Sequence, residues 1–359
     1  MSSSEHRFGA SAPFSLGVEE ELLLVGEDRR LAAVAEEVIA ALDPAFTDGV
    51  STEIFATEIE LKTGICTGPE QALSELAALR RGVRAAGAEL LGSGLHPDDK
   101  SAVALVAKPR YDVVKSDLAG ILNATPAGLH VHVGMPDPET AIRVANAMRL
   151  RLPLLQAITA NSPFREGFDT GLASARTASL RSYPRFEIPR AFAGYEEFIE
   201  VADQLIAAAG VDDYTYLWWD VRPHPRFGTV EVRGMDVQPD VATNVAIAAL
   251  VQALAAKEVE HPTRSDLGRE AIEESFFQAE SHGLGARLLA DDGTPMAAAE
   301  LARQTLDTAR PYARELGGEA ALEEVERILR EGNGADEQRR VHAERGIEGL
   351  LAHLLERTS

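Results

Sequence analysis

Four segments of the chain alternate between charged or imidazole side chains and apolar ones, and this alternation limits the folds open to it. Successive side chains of a β-strand point to opposite faces, so each segment predicts a strand with one polar and one apolar face. The apolar faces are expected to pack beneath helices, which predicts an α+β fold. The segments are FSLGVEEELLLV (14–25), STEIFATEIELKT (51–63), GLHVHVG (128–134) and TVEVR (229–233).

The polar faces of these strands carry mostly glutamate and histidine. For a single strand, the ordinary interpretation is a solvated sheet face. Over four strands the excess of carboxylates favours a binding site, because clustered carboxylates repel each other and need a compensating cation. The polar residues are Glu19, Glu21, Glu58, Glu60, Lys62, His130, His132, Thr229, Glu231 and Arg233.

The side chains on these faces suit a hard divalent cation. Carboxylate oxygens with an occasional imidazole favour Mg²⁺ or Mn²⁺, whereas a structural zinc prefers cysteine and histidine. Mg²⁺ is seldom enclosed by protein ligands alone, so such a site implies a phosphate ligand. The chain has no P-loop motif and no G-x-G-x-x-G after a strand. We therefore expect a nucleotide to be held through metal ions and arginines.

The charge balance limits the classes of partner. Asp and Glu number 57 against 35 Lys and Arg, a net charge of -22. This argues against a nucleic-acid backbone or an anionic membrane as the main partner, because both are bound by clustered positive charge. The start of the chain has no apolar signal region, and we find no apolar run long enough to span a bilayer. We expect a cytoplasmic protein that acts on small molecules.

The remaining segments predict helices joined by one long loop. The middle of the chain, 161–190, is rich in proline and arginine and predicts a long loop that is either functional or disordered. We predict a flexible start at 1–13 and one domain at 14–359, with catalytic sheet and helices at 14–260 and a helical part at 261–359. The predicted helices are 31–42, 69–91, 137–160, 240–260, 295–316, 319–331 and 335–357.

Five motifs occur in an order that resembles the type 2 glutamate–cysteine ligases, a family of carboxylate–amine ligases. The resemblance runs from about residue 14 to 260, and the last motif is the longest and most specific. The motifs are GVEEELLLV (17–25), IELKTGIC (59–66), GLHVHVGM (128–135), NSPFREGFDTGLASAR (161–176) and LWWDVRPHPRFGTVEVR (217–233).

This resemblance implies both a fold and a reaction. The fold would be a mainly antiparallel sheet curved into a funnel, as in glutamine synthetase, with helices outside and metal ions at its floor. The reaction would transfer the γ-phosphoryl group of ATP to a carboxylate, after which an amine attacks the acyl phosphate. The expected carboxylate is the γ-carboxylate of glutamate, and the expected amine is cysteine or another amine. A homodimer or larger homo-oligomer is also implied.

The resemblance also assigns roles to individual residues. Glu231 and Arg233 would be catalytic, with Arg233 on the substrate or the transferring phosphate; Glu53 enters the metal set by resemblance only. The implied metal ligands are Glu19, Glu21, Glu53, Glu60, His130 and Glu231. The residues expected to bind substrate or ATP are Arg176, Arg181, Arg222, His132 and Trp219.

Two other functions fit the same residues. A metal-dependent hydrolase would use the carboxylates to activate water on an amide or phosphate ester, and it would turn over without ATP. A non-catalytic binding protein of the same fold would be favoured by loss of a metal carboxylate. Glu19, Glu21, Glu60 and Glu231 are all present, so the ligase is preferred.

Overall fold

The computed structural model describes residues 5–100, 103–108, 111, 118 and 122–358. Within these residues, the main sheet is built from β1 (Leu16–Val25), β2 (Val50–Thr52), β3 (Glu58–Lys62), β4 (Glu89–Leu91), β5 (Gly128–Gly134), β8 (Val221–His224) and β9 (Thr229–Asp236). Two further pairs of short strands are β6 (Phe164–Arg165) with β7 (Phe168–Asp169), and β10 (Arg287–Leu289) with β11 (Pro295–Ala297).

The main sheet is antiparallel throughout. Its order is β2–β3–β1–β5–β9–β8, and β4 pairs with part of β1. The strands β1 and β5 therefore lie in the middle of the sheet, and segments far apart in the chain become neighbours. The glutamate-rich β1 lies between β3 and the histidine-rich β5.

Helices connect and follow these strands. Their bounds are α1 (Ala35–Ala41), α2 (Pro69–Ala85), α3 (Pro138–Thr159), α4 (Ala175–Leu180), α5 (Tyr195–Ala209), α6 (Val241–Glu260), α7 (Arg269–His282), α8 (Ala298–Glu315), α9 (Leu322–Glu331) and α10 (Gly334–Thr358). The predicted α+β class, with an antiparallel sheet and a helical C-terminal third, is confirmed.

One face of the sheet is apolar and is covered by helices. α3 packs on β8 and β9, and α6 packs on β1 and β5. Val18, Val131 and Val232 form a row across three neighbouring strands and are almost fully buried in the main hydrophobic cluster. Because side chains alternate along each strand, this packing directs the glutamates and histidines to the opposite face.

The two helices on the apolar face begin at aspartate caps. Asp137 accepts a hydrogen bond of 2.8 Å from the Thr140 backbone N–H at the start of α3. Asp240 accepts one of 2.8 Å from Ala242 at the start of α6. Such caps satisfy backbone donors that have no partner inside the helix. They fix where each helix starts and therefore which apolar residues meet the sheet.

A buried ion pair joins the apolar face of β1 to α2. Glu20 is fully buried, and its carboxylate accepts hydrogen bonds from Arg80 Nε at 2.8 Å and Arg80 Nη2 at 3.0 Å. Asn244 of α6 donates a further bond of 2.8 Å to Glu20. Through these bonds, Glu20 links the central strand to α2 and α6. The alternation along β1 would predict an apolar residue at this position.

Some local predictions were wrong. The helix expected at 69–91 ends at Ala85, and Gly87 adopts a φ of +95° before the chain forms β4. This left-handed backbone conformation favours glycine and ends the helix there. The strand expected at 51–63 is interrupted between β2 and β3, and the long loop at 161–190 contains β6, β7 and α4.

The segment before β1 packs against the sheet. The Arg7 N–H donates to Pro225 O and the Gly9 N–H to Met135 O, each at 2.9 Å. Phe8 between them is only 8% exposed and belongs to the main hydrophobic cluster. Residues 1–4 lie outside the described residues. The proposed division into 1–13, 14–260 and 261–359 stays a prediction.

Among the residues that the structure describes, one helix is long and apolar enough to cross a membrane by length and composition alone. This helix is α6, and 83% of an apolar stretch of 18 residues within it is buried inside the protein. We expected no apolar run long enough to span a bilayer, but Val241–Glu260 is such a run by length and composition. Helices in the core of a protein pass the same test, and α6 lies against the sheet. The cytoplasmic location and the homo-oligomer stay predictions.

The buried ion pair between Glu20 and Arg80 should contribute to folding. We expect Arg80→Met to lower the free energy of unfolding by about 3–5 kcal/mol, because it leaves a buried carboxylate without its cation. Urea denaturation measures this change. Arg303→Met is the control, since Arg303 and Glu300 form an exposed pair that should contribute little. Equal stability of the two variants would contradict the proposed role of the buried pair.

Candidate active site

The strand register brings the predicted metal ligands side by side on the polar face. Glu19 lies opposite His130, and Glu21 lies opposite Glu60. On the next pair of strands, His132 lies opposite Glu231. Directly opposed residues of an antiparallel pair have Cβ atoms about 5 Å apart, so their side chains can share one ligand.

Glu19 stands between two imidazoles. Its carboxylate oxygens lie 3.2 Å from His130 Nδ1 and 3.5 Å from His132 Nε2. Burial works to raise the pKa of Glu19, but His132 and His130 hold it well below its usual range. Burial lowers the pKa of His132, yet Glu19 and Glu231 outweigh it and raise that pKa. Glu19 and His132 therefore stabilise each other's charged forms.

Glu231 is held by two arginines. Arg222 on β8 lies opposite Glu231 on β9, and its Nε donates a hydrogen bond of 2.6 Å to the Glu231 carboxylate. Arg233 Nη1 donates another, of 2.5 Å, to the same carboxylate. The Glu231 side chain is 1% exposed. Burial works to raise its pKa, but the two guanidiniums hold it well below its usual range. The two arginines thus favour the charged form of Glu231 and hold it in place.

Negative charge on the β3 side is less well compensated. Ser51 and Lys62 donate hydrogen bonds to Glu60 at 2.7 and 3.1 Å. Even so, burial and the Glu19 carboxylate raise the pKa of Glu60. Burial and the carboxylates of Glu60 and Glu21 raise the pKa of Glu53 well above its ordinary value. The cations of the protein therefore do not fully compensate the carboxylates on this side of the cluster.

In the described part of the chain, two groups of side chains have the geometry of a cation site. One is Glu19, Glu60 and His130, and the other is Glu19, His132 and Glu231. Within each group, one ligand atom per residue lies within 4.8 Å of the others. Carboxylate oxygens with an imidazole nitrogen are donors that Mg²⁺ and Mn²⁺ accept. The residues present therefore fit the predicted ion, and Glu19 belongs to both groups.

Two predicted metal ligands lie beside these groups. Glu21 Oε1 is 3.6 Å from His130 Nε2, and Glu21 Oε2 accepts a hydrogen bond of 2.6 Å from the Gly128 backbone N–H. Glu53 follows β2 and lines the same cavity as Glu21 and Glu60. Neither belongs to the two groups found among the described residues.

Two cavities open onto the carboxylates. The first, of about 380 Å³, is lined by Glu21, Glu53, Glu58, Glu60, His130, Arg176 and Arg233, together with Tyr183, Phe186, Tyr216 and Trp218. The second, of about 340 Å³, is lined by Glu19, His132, Arg7, Arg226, Phe227 and Ile65. Lys62 lines both cavities, so they border the same part of the sheet.

The predicted binding residues divide into two sets. Arg176 and His132 each line a cavity, and Arg222 holds Glu231. Arg181 instead donates to Asp220 at 2.8 Å, and its guanidinium lies over the Phe276 ring. Arg181 therefore stabilises the residue just before β8 and is not part of the cluster of glutamates and histidines.

The structure places Trp219, which was expected to bind substrate or ATP, in the hydrophobic interior. Trp219 is 3% exposed and packs in a hydrophobic cluster with Phe192 and Phe198. Its neighbour Trp218 is partly exposed and lines the first cavity. Consecutive residues of an extended segment point in opposite directions, so only one of the two rings could reach the site. Alternation alone does not distinguish which of the two rings does so.

Sequence reasoning missed two charged residues of the site. Glu58 and Lys62 were placed on the polar face of β3 but received no function, although both line the first cavity. The signal was available, since they share the alternation that selected Glu60. Burial and the carboxylates of Glu21 and Glu53 raise the pKa of Glu58 well above its ordinary value.

Comparison with known proteins agrees with this geometry. The family model described as glutamate-cysteine ligase family 2 (GCS2) matches residues 15–354. A Rubrobacter xylanophilus protein whose name assigns it to the glutamate–cysteine ligases is 40% identical over 99% of this chain and 100% of its own length. The glutamate–cysteine ligase of Haloferax volcanii is 32% identical, over 95% of this chain and 96% of its own.

A solved structure shares the fold. The crystal structure of a glutamate–cysteine ligase from Francisella tularensis in complex with AMP superposes with a TM-score of 0.73. The match covers 97% of this chain and 89% of that one, at 14% sequence identity. The family match over nearly the whole chain gives the activity class. The chain belongs to the glutamate–cysteine ligase family 2 and is an ATP-dependent ligase that joins a carboxylate to an amine.

Proposed function

We propose that the enzyme activates a carboxylate as an acyl phosphate and then transfers the acyl group to an amine. The observation that carries this proposal is the pair of ligand groups that share Glu19, with a cavity next to each. Two cavities that meet at one row of carboxylates suit a reaction in which a nucleotide and a second substrate exchange a phosphoryl group. Glutamate and cysteine, which the names of the relatives imply, are the first substrates to test.

Divalent cations would be held by the two ligand groups. Glu19, Glu60 and His130 would hold one, and Glu19, His132 and Glu231 another. When bound, Mg²⁺ or Mn²⁺ neutralises the phosphate charge that would otherwise be repelled by these glutamates. Glu21 and Glu53 lie at the edge of the first group and extend the anionic surface that attracts the ions.

Arg233 is the candidate for contact with the transferring phosphoryl group. It lines the first cavity, and its Nε is buried without a hydrogen-bond partner among the described residues. Glu231 holds the other end of the guanidinium through Nη1. A cation fixed in this way stabilises negative charge that develops in the transition state without having to reorganise. Glu231 and Arg222 then act by positioning Arg233.

The two cavities suggest which substrate enters where. The second cavity offers Lys62 and Arg226 for phosphates, and the 51% exposed ring of Phe227 for stacking of a base. The first cavity combines Arg176 and Arg233 with aromatic side chains, which suits the carboxylate and the amine. We therefore propose that ATP occupies the second cavity and directs its γ-phosphate towards Glu19 and His132.

The proposed reaction has two steps, phosphoryl transfer to the carboxylate and then acyl transfer to the amine. A carboxylate oxygen forms a bond to the γ-phosphorus, and the bond between that phosphorus and the ADP oxygen breaks. The amine lone pair then attacks the acyl carbon, and the carbon–oxygen bond to phosphate breaks. The nitrogen releases a proton to solvent, and the products are an amide, ADP and phosphate. A hydrolase would need no ADP release, so ATP dependence separates the two mechanisms.

Glu231→Gln tests the proposed role of the Glu231–Arg233 pair. The change should lower kcat for ADP release, with Mg²⁺, glutamate and cysteine, by about 100-fold or more, because Arg233 loses its anchor and one ligand group loses a carboxylate. Coupled ADP release measures the rate, and circular dichroism checks that the variant is folded. Glu89→Gln, an exposed strand glutamate, is the control and should keep normal turnover. Near-normal turnover of Glu231→Gln would contradict the site.

Metal binding can be tested without turnover. Glu19→Gln should weaken binding of Mn²⁺ at both sites by about tenfold, because Glu19 belongs to both ligand groups. Glu60→Gln should weaken only one of the two sites. Titration followed by the electron paramagnetic resonance signal of free Mn²⁺ counts the sites and measures their affinities. Unchanged Mn²⁺ binding by Glu19→Gln would rule out the shared site.

A further inference from the structure

Glu58 is a buried carboxylate that neither ligand group uses. Its side chain lines the first cavity, and the residue is 2% exposed. Its Oε2 has no hydrogen-bond partner among the described residues. Leaving a buried polar oxygen without a hydrogen-bond partner is costly, so such a group indicates that a ligand completes the contact.

The position of Glu58 sets it apart from the metal-ligand groups. It lies on the same face of β3 as Glu60 but two residues away, about 6.7 Å along the strand. Across β1, Glu60 lies opposite Glu21, whereas Glu58 lies opposite the apolar Leu23. At this point of the face, a carboxylate is therefore paired across the strands with an apolar side chain and not with a second carboxylate. A single carboxylate suits one organic cation better than a divalent metal ion, which prefers several oxygen ligands.

The cations of the same cavity have other partners. Lys62 donates to Glu60 and Ser51, each at 3.1 Å. Arg176 lies 3.7 Å from Asp236 through Nη1, and Arg233 is bound to Glu231. No ion pair to Glu58 within 4.0 Å is found in the part of the chain that the structure describes. Glu58 thus remains available to a cation that enters with a substrate.

Aromatic side chains line the same cavity. Tyr183 and Phe186 contact each other with ring centroids 6.0 Å apart, and Phe186 lies 5.7 Å from Trp218. The Arg185 guanidinium covers the Trp218 ring at 5.2 Å and supports it. This row of rings offers an apolar surface beside one carboxylate. An amine with an apolar or aromatic substituent has both matching parts.

We propose that Glu58 binds the ammonium group of the amine acceptor and that the aromatic row of Tyr183, Phe186 and Trp218 receives its apolar substituent. This assignment rests on the proposed ligase reaction and names the acceptor class for it. The ammonium ion releases one proton to solvent before its nitrogen attacks the acyl carbon. Glu58 acts by holding the acceptor next to the metal-ligand groups, so its effect is on acceptor affinity.

Turnover with two acceptors tests the proposal. Benzylamine is cationic at neutral pH, whereas hydroxylamine is uncharged there and traps acyl phosphates as hydroxamates. With ATP, Mg²⁺ and glutamate, Glu58→Gln should raise KM for benzylamine by about tenfold or more, the usual effect of losing a hydrogen bond to a charged group. Its kcat and the rate of hydroxamate formation should stay within about twofold of the wild type. Glu89→Gln is the control and should change neither acceptor.

Two outcomes would overturn the role of Glu58. One is an unchanged KM for benzylamine, and the other is equal impairment with both acceptors, which would place Glu58 in carboxylate activation. Calorimetric titration gives a readout that does not depend on turnover. The wild type should bind benzylamine about tenfold more tightly than benzyl alcohol, and Glu58→Gln should lose this preference.

The binding measurement also separates the two proposals. Absence of a preference for benzylamine in the wild type would refute the ammonium site, whatever the turnover. A preference that depends on Glu58, together with no ADP release by the wild type with any carboxylate, would refute the acyl-phosphate reaction and leave the ammonium site standing. Mn²⁺ affinity of Glu58→Gln should equal that of the wild type; a loss would make Glu58 a metal ligand and overturn its role as an ammonium site.

Discussion

Repulsion between carboxylates on one face of a sheet is the constraint on which this structure depends. Glu231 is neutralised by Arg222 and Arg233, and Glu19 is placed between His130 and His132. Around Glu53, Glu58 and Glu60 the protein provides less positive charge, and burial adds to the repulsion. Since buried carboxylates without partners are unfavourable, we propose that cations arriving with the substrates compensate this charge.

The sheet can hold this charge because its other face is firmly packed. Rows of valine across β1, β5 and β9 lie under α3 and α6, and the strand register sets which glutamate meets which histidine. A shift of one residue would move every polar side chain of a strand into the apolar layer. The pair of Glu20 and Arg80 adds a polar tie within that layer. Packing on one face therefore fixes the spacing of ligands on the other.

Much of the site could be predicted from the sequence because it lies on strands. A period of two identifies the residues that share a face, which was sufficient to group Glu19, Glu21, Glu60, His130 and Glu231. Glu53 follows the short strand β2, outside such a pattern, and only the resemblance indicated it. Trp218 and Trp219 illustrate a second limit, because alternation separates two neighbours without saying which one meets the cavity. The contact of Arg181 with Asp220 depends on tertiary packing that no local pattern encodes.

A crystal structure with Mn²⁺ and ADP, in which anomalous scattering locates the metal ions, tests the proposed site most directly. We expect Mn²⁺ peaks within coordination distance of Glu19, one shared with Glu60 and His130 and one with His132 and Glu231, and the ADP phosphates on the Phe227 side. Peaks confined to other acidic residues, with Glu19 bound to no ion while ADP is present, would contradict it.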